Sequence, residues 1–289
     1  VRERDRRAGR RVNRGPALLR LHVAVALFGV AALFGRWIEL PPTSIVLGRT
    51  AFAALALAGA LVFRRTAFGR PTLALAINGV ILALHWVTFF AAVQATSVAI
   101  ALIGYASFPL FVVLLERGHG VPGARWGVAA LVVAGLLLAI PAGVRGDRAS
   151  QGLLLGILSG FAFALLVVRN RSLVAHVAPI HIALWQNLIA AVVLVPFALV
   201  ASGVRAPAPM EWALLALLGI VCTALAHTFF IASMRQVSAH TASIVAALEP
   251  VYGIALAAAL LAEIPSLRTL AGAALIVAAA IVASHGAIR

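Results

Sequence analysis

Lysine is absent from this chain of 289 residues, and acidic residues number only eight. Without a lysine, the chain can hold neither a Walker A nucleotide-binding loop nor a Schiff base to a cofactor such as pyridoxal phosphate. The single cysteine, Cys222, excludes a disulfide within the chain and is typical of a small apolar filler. We therefore expect no cofactor and no ATP hydrolysis on this chain.

Hydrophobic residues make up 63% of the sequence and charged residues only 11%. A soluble domain is about half apolar and about one-quarter charged, so this composition predicts an integral membrane protein. A net charge of +15 would also suit a nucleic-acid-binding protein. However, all 23 basic residues are arginines that concentrate between apolar runs, which indicates cytoplasmic loops and no nucleic-acid surface.

One sequence pattern occurs twice. Residues 97–109 (SVAIALIGYASFP) recur as residues 238–250 (SAHTASIVAALEP), with an offset of 141 residues at both ends. Upstream, residues 88–92 (TFFAA) are echoed by residues 228–232 (TFFIA). The chain is therefore predicted to be a tandem duplication.

Apolar runs of helix length predict ten membrane-spanning helices, because about 20 residues cross the hydrocarbon core of a bilayer. The predicted spans are residues 17–35, 43–63, 71–93, 97–115, 124–142, 151–168, 178–201, 211–233, 239–262 and 266–284. Five spans per half is an odd number, so the second half should lie upside down relative to the first. The predicted fold is an all-α integral membrane protein with ten transmembrane helices in two inverted five-helix repeats, residues 17–142 and 151–285.

The distribution of arginine predicts that both termini are cytoplasmic. With the N-terminus inside, cytoplasmic segments hold 17 arginines and outer loops hold 5, an asymmetry typical of this orientation. Residues 1–16 are then a basic cytoplasmic arm, 143–150 a connecting loop and 286–289 a cytoplasmic tail. No small-residue cleavage site follows the first apolar run, so we expect an uncleaved first span. The arginine-rich, lysine-free composition indicates the bacterial cytoplasmic (plasma) membrane.

Short motifs stand at defined places within this organisation: LGRTAF at 47–52, FPLF at 108–111, LEPV at 248–251, AEIPS at 262–266 and LAG at 270–272. In this order and spacing, they resemble the EamA type of the drug/metabolite transporter superfamily, over nearly the whole chain. The resemblance implies ten helices in two inverted repeats. It also implies secondary transport, with efflux of amino acids, related metabolites or toxic compounds.

Glu249 and Arg49 lie deep in predicted spans. Glu249 is about ten residues into the ninth span, and therefore about 15 Å deep. A carboxylate at this depth is costly and is typical of a substrate site or proton path; a structural acid beside the helix-breaking Pro250 is the alternative. For Arg49, snorkelling, pairing with Glu249 and binding of an anionic substrate group all remain open.

Five polar or aromatic residues extend the candidate substrate pathway: His85, Trp86, Tyr105, Trp185 and His227. Histidine can carry protons, and aromatic rings can stack on a substrate or form a cavity wall. Hydrogen bonding between packed helices is the alternative role for each of them.

Two prolines and a glycine stripe are expected to shape the helices. Pro109 and Pro250 occupy equivalent positions in the two repeats, and paired kinks there predict hinges for alternating access. Gly152, Gly156 and Gly160 recur every fourth residue, which predicts close helix packing within the bundle or between two protomers.

These observations predict a secondary transporter with its site between the two repeats. The expected partners are a small-molecule substrate, the lipid bilayer and, from the depth of Glu249 alone, a proton as coupling ion; dimerisation remains open. A passive facilitator or channel of the same fold is the alternative. A membrane-embedded lipid-modifying enzyme would need clustered acids, metal ligands or a nucleophile with a base. The sequence has no such cluster, so neither an enzyme nor a metal site is predicted.

Overall fold

The computed structural model of the protein describes residues 15–115, 122–139, 147–201 and 205–286. Within these ranges the chain is helical and contains no β-strand. The helices are α1 (Gly15–Trp37), α2 (Pro42–Phe63), α3 (Leu73–Ala95), α4 (Val98–Tyr105), α5 (Phe108–Leu115), α6 (Pro122–Ala139), α7 (Asp147–Leu173), α8 (Pro179–Val200), α9 (Pro209–Gly219), α10 (Ala226–Ser233), α11 (Ala239–Ala246), α12 (Glu249–Leu261) and α13 (Leu267–Gly286). A π-helical turn, Ile220–Leu225, joins α9 to α10.

The predicted arm, connecting loop and tail fall largely outside the described residues. Residues 1–14 of the arm, 143–146 of the connecting loop and 287–289 of the tail belong to the part that is not described. The remainder of the connecting loop, residues 147–150, forms the first turn of α7.

Seven helical runs are long and apolar enough to cross a membrane, which requires about 20 apolar residues. They are Gly15–Trp37, Pro42–Phe63, Leu73–Ala95, Val98–Leu115, Ser150–Leu173, Pro179–Val200 and Pro209–Ser233. The predicted class, an all-helical multi-pass membrane protein, is confirmed at this level. The ten-span inverted organisation stays a prediction.

Two predicted single helices are interrupted in the structure. The break between α4 and α5 falls at residues 106–107, and that between α11 and α12 at residues 247–248. The two breaks are therefore separated by the same 141 residues that separate the repeated motifs. Pro109 and Pro250 are each the second residue of the new helix, where the missing N–H of proline leaves no intrahelical hydrogen bond unmade.

Helix α7 continues past the predicted sixth span, residues 151–168, and ends at Leu173. Arg169 and Arg171, predicted in a cytoplasmic loop, therefore lie on the helix. The extra turn is anchored to α3, because the Arg169 Nε donates a hydrogen bond to the Asn78 Oδ1. Polar contacts between helices thus extend α7 beyond its apolar run.

The two halves pack by the same scheme. Helix α3 packs on α7 and α8, and correspondingly the α9–α10 run packs on α1 and α2. Helices α4 and α5 pack on α7, as α11 and α12 pack on α1. The remaining major contacts are α2 with α8 and α6 with α13, which join equivalent helices. Each of these helices therefore packs on partners equivalent to those of its counterpart in the other half.

Two glycines let helices cross the breaks at backbone contact distance. A Cβ on Gly160 of α7 would lie 2.5 Å from the Tyr105 carbonyl oxygen. A Cβ on Gly29 of α1 would lie 3.3 Å from the Glu249 carbonyl oxygen and 3.0 Å from the Gly253 nitrogen. Only a residue without a side chain allows such close approach of two helices.

The rest of the glycine stripe on α7 faces α4 and the turn between α3 and α4. A Cβ on Gly152 would lie 2.3 Å from Thr96 Cγ2, and one on Gly156 would lie 2.9 Å from the Ala101 carbonyl oxygen. In this structure the stripe therefore packs against a helix of the same chain.

Candidate functional site

A buried cavity lies where helices of both halves meet, and six of the seven predicted pathway residues line it. They are Arg49, His85, Trp86, Tyr105, His227 and Glu249. The cavity offers about 30 Å³ to the centres of water molecules, which is room for about two waters. It is lined by both polar and aromatic side chains and is too small for a metabolite in this state.

Arg49, on α2, is buried with a relative exposure of 2%. Its Nε and Nη2 donate hydrogen bonds to the Thr223 Oγ1 at 3.0 and 2.9 Å. Its guanidinium carbon lies 3.8 Å from the centroid of the Trp86 ring, and cation–π attraction is strongest when the cation is desolvated. A hydroxyl and an aromatic face therefore hold the charge, and no carboxylate among the described residues pairs with it.

The π-helical turn presents Thr223 to Arg49. The Thr223 hydroxyl donates to the Leu218 carbonyl oxygen at 2.8 Å, five residues earlier, while the same oxygen accepts the two bonds from Arg49. Single π turns are frequent at functional sites. The sequence of the turn, IVCTAL, contains neither glycine nor proline, so sequence reasoning missed both the turn and Thr223.

Glu249, the first residue of α12, faces the same cavity with a relative exposure of 5%. Its carboxyl group lies near the Tyr105 side chain, which lines the same cavity. Its Oε2 has no hydrogen-bond partner in the described part of the chain. Glu249 also forms no ion pair with Arg49, since the two ion pairs found among the described residues both lie elsewhere. A guanidinium and a carboxyl group therefore share one cavity without direct contact.

The two histidines of the cavity have different neighbours. The His85 Nδ1 lies 2.8 Å from the Ser159 Oγ and 3.1 Å from the Ser159 carbonyl oxygen. The His227 Nδ1 lies 3.5 Å from the Asn187 Nδ2. Ser159 and Asn187 therefore help to position the two rings.

Apolar residues complete the wall, and sequence reasoning missed them. They are Phe28, Ala31, Leu82, Phe89 and Phe163. The Phe163 ring centroid lies 5.3 Å from that of Tyr105. In a chain this rich in apolar residues, no sequence signal separates those that face a cavity from those that face lipid.

Trp185 lies apart from this cavity. Its Nε1 donates to the Phe68 carbonyl oxygen at 3.1 Å. The neighbouring His181 Nε2 donates to the Ala67 carbonyl oxygen at 2.8 Å. Both side chains therefore fasten the loop between α2 and α3, and Trp185 does not contribute to the cavity in this state.

The described residues contain no group of three or more His, Cys, Asp and Glu side chains placed to bind a metal ion. The polar groups of the cavity are one guanidinium, one carboxyl, two imidazoles and one phenol. This set can bind a small polar molecule through charge and hydrogen bonds and can accept or release a proton.

An all-helical membrane protein with a polar cavity between two similar halves is a typical arrangement for a transporter, and the comparisons with known proteins agree. Residues 150–285 match the model of the EamA-like transporter family. This match confirms the family resemblance predicted from the sequence. The second half of the chain is thus similar to EamA-like transporters.

Longer alignments cover most of the chain. An uncharacterized transporter of Archaeoglobus fulgidus is 26% identical over 269 residues, covering 90% of this chain and 93% of the relative. The uncharacterized transporter YxxF of Bacillus subtilis is 23% identical over 261 residues, covering 83% and 80%. One solved crystal structure, 22% identical, has a TM-score of 0.70 and covers 94% of this chain and 98% of its own. The last likeness bears on the fold alone.

Proposed function

We propose that this protein is a secondary transporter that exports a small metabolite across the bacterial plasma membrane, with the central cavity as its substrate site. The observation that carries the proposal is the separation of Arg49 and Glu249. Burial of an ionised group is expensive unless a partner compensates it. A buried guanidinium and a buried carboxyl group that share a cavity without pairing are suited to bind a ligand between them.

The proposed topology has ten spans, with the second half inverted relative to the first and both termini in the cytoplasm. Its support is the common offset of the two helix breaks and the exchangeable packing of the two halves. An odd number of spans per half then requires opposite orientations.

Alternating access is the mechanism that fits the size of the cavity. A space of about 30 Å³ cannot admit a metabolite, so helices must part for the substrate to enter and leave. The breaks before Pro109 and Pro250 are the proposed hinges, because the hydrogen-bond ladder of each helix is already interrupted there.

Proton coupling is proposed to pass through Glu249. Its Oε2 is buried without a partner, and a proton or a cationic group of the substrate would satisfy it. A carboxyl group that alternates between these two ligands couples the movement of one to the movement of the other.

The test compares metabolites released by cells that overproduce the protein with those released by cells that overproduce Glu249→Gln. We expect a metabolite to accumulate outside cells with the wild type and not with Glu249→Gln. Glu39→Gln is the matched control, because Glu39 is an exposed acid at the end of α1 and should leave accumulation unchanged. Equal accumulation with Glu249→Gln would reduce Glu249 to a structural acid.

The passive facilitator is separated from the coupled transporter in proteoliposomes with the metabolite so identified. Under an imposed pH gradient, a coupled transporter concentrates the metabolite, whereas a facilitator only equilibrates it. Concentration that persists in Glu249→Gln would contradict coupling through this residue.

A further inference from the structure

Charged side chains from the second half of the chain hold the end of α1. The Arg36 Nε donates to the Glu263 Oε1 at 2.6 Å. The backbone N–H of Glu39 donates to the Glu211 Oε1 at 3.1 Å, and the Arg205 Nη2 donates to the Glu39 carbonyl oxygen at 3.3 Å. The two ion pairs, Arg36–Glu263 and Arg205–Glu211, are here called the α1 latch.

Further donors fix each carboxylate of the α1 latch. The Glu263 Oε2 accepts from the backbone N–H of Val98 at 3.0 Å. Val98 opens α4, where the helix dipole favours a negative charge. Glu211 accepts from the Nη1 and Nη2 of Arg205 at 2.5 and 2.8 Å and from the backbone N–H of Ala208 at 2.8 Å. The latch therefore joins α1, α4, α9 and the loop after α12 at one end of the bundle.

Helix α1 connects the latch to the central cavity. Phe28 and Ala31 of α1 line the cavity, and Arg36 is five residues beyond Ala31, or about 8 Å at the α-helical rise. Between them, Gly35 brings α1 against α3, since a Cβ there would lie 2.8 Å from Val93 Cγ1. Tight packing of α1 on α3 thus lies between the latch and the cavity-lining residues of α1.

The opposite end of the bundle is held by a different chemistry. There the Asn78 Nδ2 and the Gln186 Nε2 both donate to the Asn170 Oδ1, at 3.0 and 2.5 Å. Both ion pairs found among the described residues belong to the latch. An ion pair that water can reach has modest net strength, which suits a contact that must break and re-form in each transport cycle.

We infer that the α1 latch is the outer gate of the central cavity. When Glu263 and Glu211 release the end of α1, that end moves away from α3 and the cavity opens to the outside. The inference rests on the proposed transport function and on the proposed cytoplasmic N-terminus, which puts the end of α1 on the outer face. Glu263 and Glu211 then control access without touching the substrate.

The test measures access to the cavity from outside with one reporter thiol. Cys222 is the only cysteine of the sequence, so Ala31→Cys in a Cys222→Ala chain gives a single thiol in the cavity wall. Right-side-out vesicles are treated with a membrane-impermeant methanethiosulfonate reagent, and the labelled fraction is followed by intact mass. With the latch intact we expect slow labelling. Glu263→Gln or Glu211→Gln should speed it by about tenfold, within the range of typical conformational couplings.

The matched control is Glu39→Gln, which removes one negative charge from the same end of α1 but leaves both ion pairs and the backbone contacts of Glu39 in place. It should not change the labelling rate. Arg36→Gln breaks the Arg36–Glu263 ion pair but keeps the hydrogen bond that the Val98 N–H donates to Glu263. It therefore tests the gate if Glu263→Gln fails to fold. Unchanged labelling in all latch variants would overturn the inference. Faster labelling only from the cytoplasmic side would overturn the outer placement.

The labelling needs no substrate, so its result is independent of whether transport is detected. Faster labelling without any exported metabolite would support the gate and count against the proposed function. If export depends on Glu249 but the labelling rate is the same in the latch variants and the wild type, the result would support the proposed function and count against the gate.

Discussion

The helix breaks of the two halves occupy equivalent positions but differ in the side chain that begins the new helix. Both interruptions lie at the same place in the repeat, immediately before a proline-containing helix. In the first half, Phe108 begins the new helix and is fully buried, with its ring centroid 5.1 Å from those of Tyr105 and Phe163. In the second half, Glu249 begins the new helix and faces the cavity.

The difference shows that two equivalent breaks contribute differently to the proposed site. Each break is crossed closely by a helix of the other half, at Gly160 and at Gly29. The second break presents an ionisable group, Glu249, to the cavity. The first break instead places the Phe108 ring against Tyr105. In the proposed site, the second break therefore provides the acid, whereas the first contributes aromatic packing.

Placing an acid at the first break, as at the second, should have the largest effect on the protein. Phe108→Glu would bury a carboxyl group among aromatic rings with no compensating partner, which costs several kcal/mol. We expect loss of folded protein, measured by size-exclusion chromatography of the detergent extract. Phe63→Glu is the control, because Phe63 is exposed at the end of α2 beside Arg64 and should remain folded. Recovery of folded Phe108→Glu in wild-type amounts would contradict the comparison.

Disturbing the close packing of α7 on the first break should have an intermediate effect, on thermal stability. Gly160→Ala would put a Cβ 2.5 Å from the Tyr105 carbonyl oxygen, so α7 must move from the break, at a cost of about 1–3 kcal/mol. The midpoint of thermal unfolding in detergent should fall. Gly59→Ala is the matched control, since no atom lies within 4 Å of its Cβ position. Equal midpoints for the two variants would show that the close crossing does not stabilise the fold.

Removing the hydroxyl of Tyr105, which lies near Glu249 in the cavity, should have the smallest effect. Tyr105→Phe deletes this hydroxyl and keeps the aromatic packing, a change of about 1 kcal/mol. We expect a folded protein whose substrate affinity differs from wild type by a few-fold in proteoliposome uptake. The only other tyrosine of the sequence, Tyr252, is partly exposed on α12, and Tyr252→Phe should leave the affinity unchanged. The same affinity for both variants would remove Tyr105 from the site.

The sequence predicted where the helices lie because hydrophobic runs, prolines and arginine-rich loops mark their limits. The duplicated motif also predicted that residues 108 and 249 are equivalent, and the structure places a helix start at each. The interruption itself was expected only as a kink. A proline at the second position of a helix is compatible with a complete break, and sequence alone does not distinguish the two.

The charged and polar residues of the cavity could be predicted because such groups are rare within apolar spans. Trp185 could not be separated from them, because its depth in the sequence pattern does not reveal that its indole faces the α2–α3 loop. Thr223 was missed because a threonine in an apolar helix commonly bonds to its own backbone. Its contact with Arg49 is set by packing between helices 174 residues apart in sequence.

The π-helical turn Ile220–Leu225 has a consequence for how this chain can change in length. A π turn holds one residue more than the α-helical turn it replaces. Everywhere else in a helix, deletion of one residue rotates all that follows by about 100°. Within this turn, a single deletion restores an ordinary α-helix and leaves the faces of α9 and α10 where they were. The turn is thus a place where a length change stays local, and the cost falls on its buried residues, Cys222, Thr223 and Ala224.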